Sequence, residues 1–207
     1  MRTIIYVDGY NLYYGSLRGT PYKWLNLKAL FENVLSQNNQ IIGIKYFTAR
    51  ISSTASDPLK ADHQDAYLRA LQLLVPEITI YFGQFTTHQV RAKLATPIAG
   101  QRYADVVRTS EKGSDVNLAV HLVNDAWLDA FDCAVIVSAD SDLVESMCLV
   151  RKHHPKKILG VIRTSNRLPK ELAREATFIK GLSKAALQAA QFPVAIPGSN
   201  ITKPGDW

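Results

Sequence analysis

Four aspartates and one asparagine lie at positions where their side chains could form a single cation-binding site. Asp8 follows a short apolar run and is itself followed, three residues later, by Asn11. Asp115 begins a segment with helical periodicity, and Asp140 and Asp142 follow a second apolar run. Carboxylates that come together repel each other, and the binding of a cation relieves this repulsion. Because these ligands are hard oxygen atoms without Cys or His, we expect Mg²⁺ or Mn²⁺ rather than zinc.

A cation held by carboxylates suits the cleavage of phosphodiester bonds. The carboxylates alone would repel a phosphate, whereas a bound cation reverses the local field. The cation also lowers the pKa of a bound water and stabilises charge on the attacked phosphate, and a second ion would hold the leaving oxygen. Asn11 adds a neutral amide that could orient a ligand water. The pattern therefore predicts a metal-dependent hydrolase with one or two ions.

The two apolar runs are predicted to be neighbouring strands that bring these aspartates together. Residues 3–7 and 133–137 are rich in Ile and Val, and they are apolar throughout, as strands buried on both faces are. Parallel strands end at the same edge of a sheet, where α/β proteins bind their ligands. Alternatively, each aspartate only caps the helix that follows it, which is a common role for Asp. The predicted metal site therefore depends on the convergence of several aspartates.

The remaining elements alternate between strand and helix. Such alternation is typical of an α/β fold with a parallel sheet and right-handed crossovers. Further strands are predicted at residues 41–49, 78–85 and 157–162, and helices at residues 27–35, 57–74, 114–128 and 142–153. Residues 86–109 interrupt the alternation and are predicted to form a β-hairpin insertion with its turn between residues 97 and 100.

The predicted hairpin and the residues after it carry cations that suit a polyanionic ligand. Arg91, Lys93 and Arg108 lie in the hairpin, and Lys112 precedes Asp115 by three residues. A basic flap beside an acidic metal site would contact a phosphate backbone. The alternative is a solvated edge ribbon whose charges protect it from pairing with other chains.

Aromatic side chains close to the predicted site suit contacts with bases. Tyr10 and Tyr13 follow Asp8 closely, and aromatic rings mixed with cations stack on the bases of single strands. The alternative is that these rings belong to the core. We also assign Ser138, two residues before Asp140, to nucleic-acid contact.

The overall composition is that of an ordinary globular protein with a basic surface. The chain has 207 residues, 47% of them hydrophobic, which is enough for one well-formed core. We expect one domain over residues 1–182, followed by a helix and a tail rich in proline and glycine over residues 183–207. The net charge of +6 permits a polyanionic partner. The oligomeric state, homo-oligomers included, stays open.

Cysteine usage and hydropathy indicate a cytoplasmic protein. Cys133 and Cys148 have neither the spacing of a disulfide framework nor that of metal ligands, so we expect reduced thiols in the core. No apolar run reaches the ~18 residues of a membrane span, and Asp8 interrupts the first run too early for a signal peptide. We therefore expect neither a membrane anchor nor a leader.

Three segments of the chain resemble the signatures of a known family. Residues 8–11 (Asp-Gly-Tyr-Asn), 112–116 (Lys-Gly-Ser-Asp-Val) and 138–142 (Ser-Ala-Asp-Ser-Asp) resemble those of the NYN domain, in the LabA-like (DUF88) branch of the PIN-like nuclease superfamily. They occur in the family's order and span roughly residues 1–180. Leu143 stands where many members of the family have Phe, a difference that concerns packing more than chemistry.

The resemblance implies a fold and an activity. The implied fold is a Rossmann-like PIN fold whose central parallel sheet has the order 3-2-1-4-5. The implied activity is Mg²⁺-dependent endonucleolytic cleavage of single-stranded RNA, and the choice of RNA over DNA depends on the resemblance alone. Asp8, Asp115 and Asp140 correspond to the metal-binding acids, Asn11 to their polar partner and Asp142 to a fourth carboxylate.

Three other classes of protein were weighed. A phosphatase of the haloacid dehalogenase type needs a second Asp two residues after the first, where Tyr10 stands. A dinucleotide-binding oxidoreductase needs Gly-x-Gly-x-x-Gly after the first strand, and residues 9–14 do not supply it. A non-catalytic RNA-binding or regulatory module that keeps the acidic pocket stays open, because composition does not separate it from a nuclease.

Overall fold

The computed structural model describes residues 1–98, 100–205 and 207. Ala99, in the predicted hairpin turn, and Asp206, in the predicted tail, lie outside the described residues. The strands are β1 (Arg2–Asp8), β2 (Gln40–Ala49), β3 (Ile78–Ile98), β4 (Gln101–Lys112), β5 (Cys133–Val137), β6 (Ile158–Arg163) and β7 (Phe178–Gly181). The α-helices are α1 (Gly9–Leu12), α2 (Leu27–Val34), α3 (Lys60–Leu74), α4 (Ser114–Trp127), α5 (Val144–His153), α6 (Lys170–Glu175) and α7 (Lys184–Ala189). A π-helical turn (Tyr13–Leu17) continues α1, and a 3₁₀-helix (Ser141–Leu143) precedes α5.

The described strands form one sheet in the order β4-β3-β2-β1-β5-β6-β7. All neighbouring strands are parallel except β3 and β4. The mixed α/β fold is therefore the predicted one. The five central strands run β3-β2-β1-β5-β6, which corresponds to the predicted 3-2-1-4-5 when only the parallel strands are numbered and differs from it through the inserted β4. The sheet is wider than predicted, because β7 extends it at one edge and β4 at the other.

Helices cover both faces of the sheet, and the alternation along β1 decides which way Asp8 points. Ile5 and Val7 pack into the core that contains α2 and α3, whereas Ile4 and Tyr6 pack into the core that contains α4 and α5. Side chains two apart on a strand share a face. Asp8 is therefore directed to the face that α4 covers.

The predicted third strand and the first strand of the predicted hairpin are one element. Parallel pairing of β3 with β2 ends at Gly83, and antiparallel pairing with β4 begins one residue later, where Gln84 faces Lys112. Strand β3 is therefore paired first with β2 and then with β4, with no unpaired residue between. For this reason the strand does not end near residue 86. The two-stranded ribbon thus starts beside Lys112, at the edge of the sheet that contains Asp8.

One helix boundary differs from the predicted one because of local hydrogen bonds. The helix predicted over residues 57–74 begins only at Lys60, since the backbones of Asp57 and Thr54 bond to each other in a tight turn. The tail packs against the core, where Ile196 and Ile201 are buried.

Among the described residues, no helix combines the length and the apolar character that a bilayer span requires.

Candidate metal centre

Asp8 is held rigidly at the end of β1, where only 2% of its surface is exposed. Its Oδ1 accepts a hydrogen bond from the backbone N–H of Asn11 at 2.9 Å, so the carboxylate caps α1. Its Oδ2 accepts from Nδ2 of Asn11 at 2.7 Å and from the hydroxyl of Ser138 at 2.9 Å. Asn11 therefore orients the carboxylate through both its backbone and its side chain.

Glycine at position 9 lets the chain turn tightly after Asp8. A Cβ atom there would lie 2.8 Å from the carbonyl oxygen of Phe47 and 2.8 Å from the ring of Tyr46, closer than real side chains come. Only glycine allows β2 to approach the start of α1 this closely. The turn therefore places Asp8 and Asn11 together at the edge of the sheet.

Ser138 joins Asp8 to the segment that carries Asp140. The side chain of Ser138 is fully buried, and its hydroxyl donates to Asp8 while accepting from the backbone N–H of Asp140 at 3.1 Å. A second link runs from the backbone N–H of Ala139 to Oδ1 of Asn11 at 3.3 Å. The hydroxyl therefore has two partners inside the protein, and the contact of Ser138 with nucleic acid stays a prediction.

Asp115 reaches the same place from the first turn of α4. Gly113 adopts a φ of 99°, a left-handed conformation that glycine tolerates, and this sharp turn directs α4 away from the end of β4. Ser114, the first residue of α4, donates from its hydroxyl at 2.8 Å and from its backbone N–H at 3.1 Å to Glu111. Glu111 thus caps α4. This role of Glu111 was not predicted. Its position directly before the Lys-Gly-Ser-Asp segment was the one feature of the sequence that could have indicated it.

Three of the four predicted carboxylates come together. Asp8, Asp115 and Asp140 each offer a carboxylate oxygen, and these oxygens lie within 4.8 Å of one another. Asp142 is exposed and lies outside this trio, although its backbone N–H donates to Oδ1 of Asp140 at 3.0 Å. Asp140 caps the short 3₁₀-helix, and Asp142, in the first turn of that helix, is turned to solvent. The structure therefore brings three of the four predicted carboxylates together, and the metal-binding role of all four stays a prediction.

The trio concentrates negative charge, which contributes to the pKa shifts of Asp8 and Asp115. Burial, and then the charges of Asp8 and Asp140, raise the pKa of Asp115 from 3.8 to about 6. Burial also raises the pKa of Asp8, against the opposing effect of hydrogen bonds from Asn11 and Ser138. Among the residues that the structure describes, no Lys or Arg forms an ion pair with the trio.

The trio fits a small divalent cation. Mg²⁺ binds oxygen at about 2.1 Å, so two oxygens on opposite sides of one ion are ~4.2 Å apart. The spread of up to 4.8 Å is only slightly larger, and small rotations of the side chains would bring all three oxygens to one ion. The donors are all carboxylate oxygens, which suit Mg²⁺ or Mn²⁺.

The predicted aromatic contacts lie beside the trio. The hydroxyl of Tyr10 donates to the carbonyl oxygen of Ala49 at 3.1 Å, and its ring lies 6.4 Å from that of Tyr14 and 6.2 Å from that of Phe85. Tyr13 is half-buried and meets Tyr14 edge to face. Both rings are therefore fixed by neighbours next to the acidic trio.

The predicted basic contacts are exposed but do not form one surface. Residues paired across β3 and β4 share a face, and faces alternate along each strand. Arg91 and Lys93 consequently lie on one face of the ribbon, whereas Arg108 and Lys112 lie on the other. At ~3.4 Å per residue, Lys93 lies roughly 30 Å along the ribbon from Lys112. One nucleic-acid strand on a single face would not contact all four.

A cavity of about 130 Å³ was not predicted, and it lies on the face of the sheet opposite to α4, since its lining residues Tyr46 and Tyr67 belong to the core that contains α2 and α3. Gly9 lines it directly after Asp8 in the chain. Its other walls are mainly aromatic, and the rings belong to Tyr10, Tyr13, Tyr14, Tyr46, Tyr67 and Trp207. These residues come from four separate segments, so the spacing along the sequence does not reveal the cavity.

The family can be stated from comparison with known proteins. The sequence profile of the NYN domain matches residues 2–184, which is most of the chain. The chain belongs to the NYN domain family. This family lies within the PIN-like nuclease superfamily, and the trio of aspartates in this NYN domain, of which Asp8 is buried, is in keeping with that placement.

Two individual proteins are also similar to this NYN domain protein. The 6-hydroxy-3-succinoylpyridine 3-monooxygenase HspA of Pseudomonas putida is 35% identical over 235 aligned positions, which cover all of this chain and 75% of that protein. A crystal structure of a protein of unknown function from Vibrio parahaemolyticus superposes with a TM-score of 0.52 at 16% identity, covering 88% of this chain and 93% of that one. At this identity the second likeness concerns the fold alone.

Proposed function

We propose that this protein is an endoribonuclease of the LabA-like branch that depends on Mg²⁺ or Mn²⁺ and cleaves single-stranded RNA. The observation that carries the proposal is the convergence of Asp8, Asp115 and Asp140 in a chain of the NYN family, with no Lys or Arg in an ion pair with them among the described residues. A purely structural acidic cluster would be expected to contain a Lys or Arg, because like charges at this distance repel.

Each residue of the site has a distinct role in the proposal. Asp8, Asp115 and Asp140 would hold the cation, which when bound would supply a Lewis acid that polarises phosphate oxygens and activates water. Asn11 and Ser138 hold the carboxylate of Asp8 in one orientation. Lys112, at the base of the ribbon, would contact the RNA backbone.

Cleavage of a labelled single-stranded RNA tests this proposal. Wild-type protein should cleave with Mg²⁺ or Mn²⁺ and stop when a chelator removes the ion. We expect Asp8→Asn and Asp140→Asn to abolish cleavage while the far-UV circular dichroism spectrum stays unchanged. Asp142→Asn is the matched control and should retain most activity, because Asp142 lies outside the trio. Equal cleavage by wild type and by Asp8→Asn would identify a contaminating nuclease and end the proposal.

A non-catalytic RNA-binding module is the alternative within the same family. It keeps the acidic trio but leaves RNA intact. Binding of RNA by wild-type protein with no cleavage under any divalent ion would favour this alternative.

A second candidate function follows from the name of the relative and from the aromatic cavity. A hydroxypyridine ring could enter the cavity between its tyrosines. A monooxygenase adds one oxygen atom of O₂ to its substrate and reduces the other to water with two electrons from a reduced cofactor. The residues after β1 do not form the glycine-rich dinucleotide fingerprint.

Incubation with 6-hydroxy-3-succinoylpyridine, O₂ and NADH, with and without added flavin, tests this second candidate. Oxidation of NADH that matches the loss of the pyridine, and that persists in Asp8→Asn, would support it. RNA cleavage that Asp8→Asn abolishes, without any loss of the pyridine, would support the nuclease.

A further inference from the structure

The aromatic cavity lies near Asp8, on the face of the sheet opposite to α4. Burial, and then the charge of Asp8, raise the pKa of Tyr46, which lines the cavity and belongs to the core that contains α2 and α3. Gly9 and Tyr10, the two residues that follow Asp8, both line the cavity. Consecutive Cα atoms are ~3.8 Å apart, so the cavity begins within one or two residues of a proposed metal ligand. If one part of a ligand is bound in the cavity and another part is held at Asp8, only a few covalent bonds would separate the two parts.

The walls of the cavity are held in place by contacts outside it. The hydroxyl of Tyr10 donates to the carbonyl oxygen of Ala49, and the hydroxyl of Tyr67 donates to that of Leu25 at 3.0 Å. The ring of Trp207 packs 6.0 Å from that of Tyr67. Because the polar ends of Tyr10 and Tyr67 are anchored in the protein, these rings are pre-arranged and do not have to become ordered when a ligand binds.

Two lysines line the same cavity. They are Lys23 and Lys60, and the ammonium group of Lys23 lies 5.5 Å from the ring of Trp207. Asp57 is the carboxylate among the lining residues. Aromatic walls with two lysines suit a flat ring that is attached to an anionic backbone.

We propose that the cavity binds the base of the nucleotide next to the cleaved phosphodiester bond. This inference rests on the proposed nuclease function and deepens it, because it assigns a base-binding subsite to the RNA substrate. The base stacks among the tyrosines and Trp207, while its phosphate reaches the acidic trio. Stacking accepts any base, since every base has a π-face. The subsite therefore positions the bond for cleavage without selecting a sequence.

Binding in the absence of metal tests the subsite independently of cleavage. Isothermal titration calorimetry would compare the four nucleoside monophosphates with ribose 5-phosphate on the full chain. We expect the nucleotides to bind at least about tenfold more tightly than ribose 5-phosphate, and Trp207→Ala to weaken nucleotide binding by about tenfold. Trp207→Phe should restore most of the affinity, because it keeps an aromatic face.

Two further variants control for folding. Trp127→Ala is the matched control, because Trp127 is half-exposed, packs on His153 and His154 and is not among the lining residues. It should leave nucleotide binding unchanged. Ile51→Trp fills the cavity while keeping its aromatic walls. It should block nucleotide binding even if Trp207→Ala fails to fold.

Cleavage of RNA that carries one abasic site gives the second readout. In wild type, one abasic position next to the cleaved bond should lower kcat/KM by about tenfold, and Trp207→Ala should cleave abasic and intact RNA alike. If wild type binds nucleotides through this cavity but never cleaves RNA, the nuclease function fails and the base subsite stands. Equal affinity for nucleotides and ribose 5-phosphate, or nucleotide binding that neither Trp207→Ala nor Ile51→Trp changes, would overturn the subsite.

Discussion

The hydroxyl of Ser138 donates a hydrogen bond of 2.9 Å to the carboxylate of Asp8, across two neighbouring strands and 130 residues of sequence. The same hydroxyl accepts from the backbone N–H of Asp140. One buried oxygen atom thus sets the distance between two of the three acidic groups. Asp8 therefore caps α1 and, through this hydrogen bond, also belongs to a site that it shares with the segment after β5.

We expect Ser138→Ala to weaken the affinity for Mn²⁺ by about 10- to 100-fold, because the carboxylate of Asp8 loses a partner that orients it. The free energy of unfolding should fall by about 1–2 kcal/mol, since the N–H of Asp140 loses its acceptor. Calorimetric titration with Mn²⁺ and chemical denaturation measure the two effects. Ser146→Ala is the control, because Ser146 is also buried but bonds to the carbonyl of Leu143. It should lower stability without changing Mn²⁺ affinity, and an equal loss of affinity in both variants would contradict the positioning role.

The stability of the metal-free protein should fall as the pH rises through about 6. The pKa of Asp115 is about 6 in the fold, against an ordinary value of 3.8, so between these values the folded state binds more protons than the unfolded chain. The stabilisation that this proton provides is present at low pH and is lost above about 6. Mn²⁺ should restore stability there, because it replaces the proton.

Thermal unfolding of chelator-treated protein between pH 5 and 8 measures this effect. Asp115→Asn removes the titrating group, so its Tm should exceed that of wild type by a margin that grows with pH. A margin that does not change with pH would show that Asp115 does not titrate near 6.

Removal of a cation at the base of the ribbon should weaken RNA binding more than removal of one at its tip. Lys112 lies three residues before Asp115, whereas Lys93 lies roughly 30 Å away along the ribbon and on the opposite face. In the cleavage-deficient Asp8→Asn background, Lys112→Ala should lower the salt dependence of binding to single-stranded RNA by about 0.7 in log–log slope. Lys93→Ala should leave that slope unchanged in fluorescence anisotropy titrations. A larger effect of Lys93→Ala would place the RNA on the tip of the ribbon.

Asp125 should be important for stability and not for cleavage. Its Oδ2 accepts from the hydroxyl of Tyr6 at 2.6 Å and pairs with the ammonium group of Lys45 at 2.7 Å, beneath α4. Asp125→Ala leaves a largely buried ammonium group and a buried hydroxyl without this partner, and we expect a loss of about 3 kcal/mol or more. Denaturant unfolding measures it, with Asp62→Ala on the exposed part of α3 as the control. Loss of cleavage per folded molecule in Asp125→Ala would mean that the network also shapes the site.

Much of the fold follows from local pattern. The apolar run before Asp8 and the one before Ser138 could only be buried strands, and alternation with helices makes such strands parallel. Parallel strands end at one edge, so the meeting of Asp8 with Asp140 was predictable from two separate stretches. Asp115 was predictable because it lies in the first turn of a helix that begins at the same edge.

Other features depend on how side chains meet in three dimensions. Asp140 and Asp142 are only two residues apart. Asp140 nevertheless belongs to the trio, whereas Asp142 faces solvent, because a 3₁₀-helix begins between them. Arg91 and Arg108 are both basic and exposed, yet the strand pairing puts them on opposite faces. Spacing along the chain does not contain this information, since it arises from register and from local turns.

The sequence by itself determined the α/β class, the edge of the sheet that carries the acidic groups and the choice of oxygen ligands, because periodicity and residue type act over short distances. Only the tertiary structure decided that Ser138 is a buried support, that three of the four candidate carboxylates converge and that an aromatic cavity lies near Asp8 on the opposite face of the sheet. That cavity takes its walls from rings as far apart in the chain as Tyr10 and Trp207, and no local pattern brings such distant residues together.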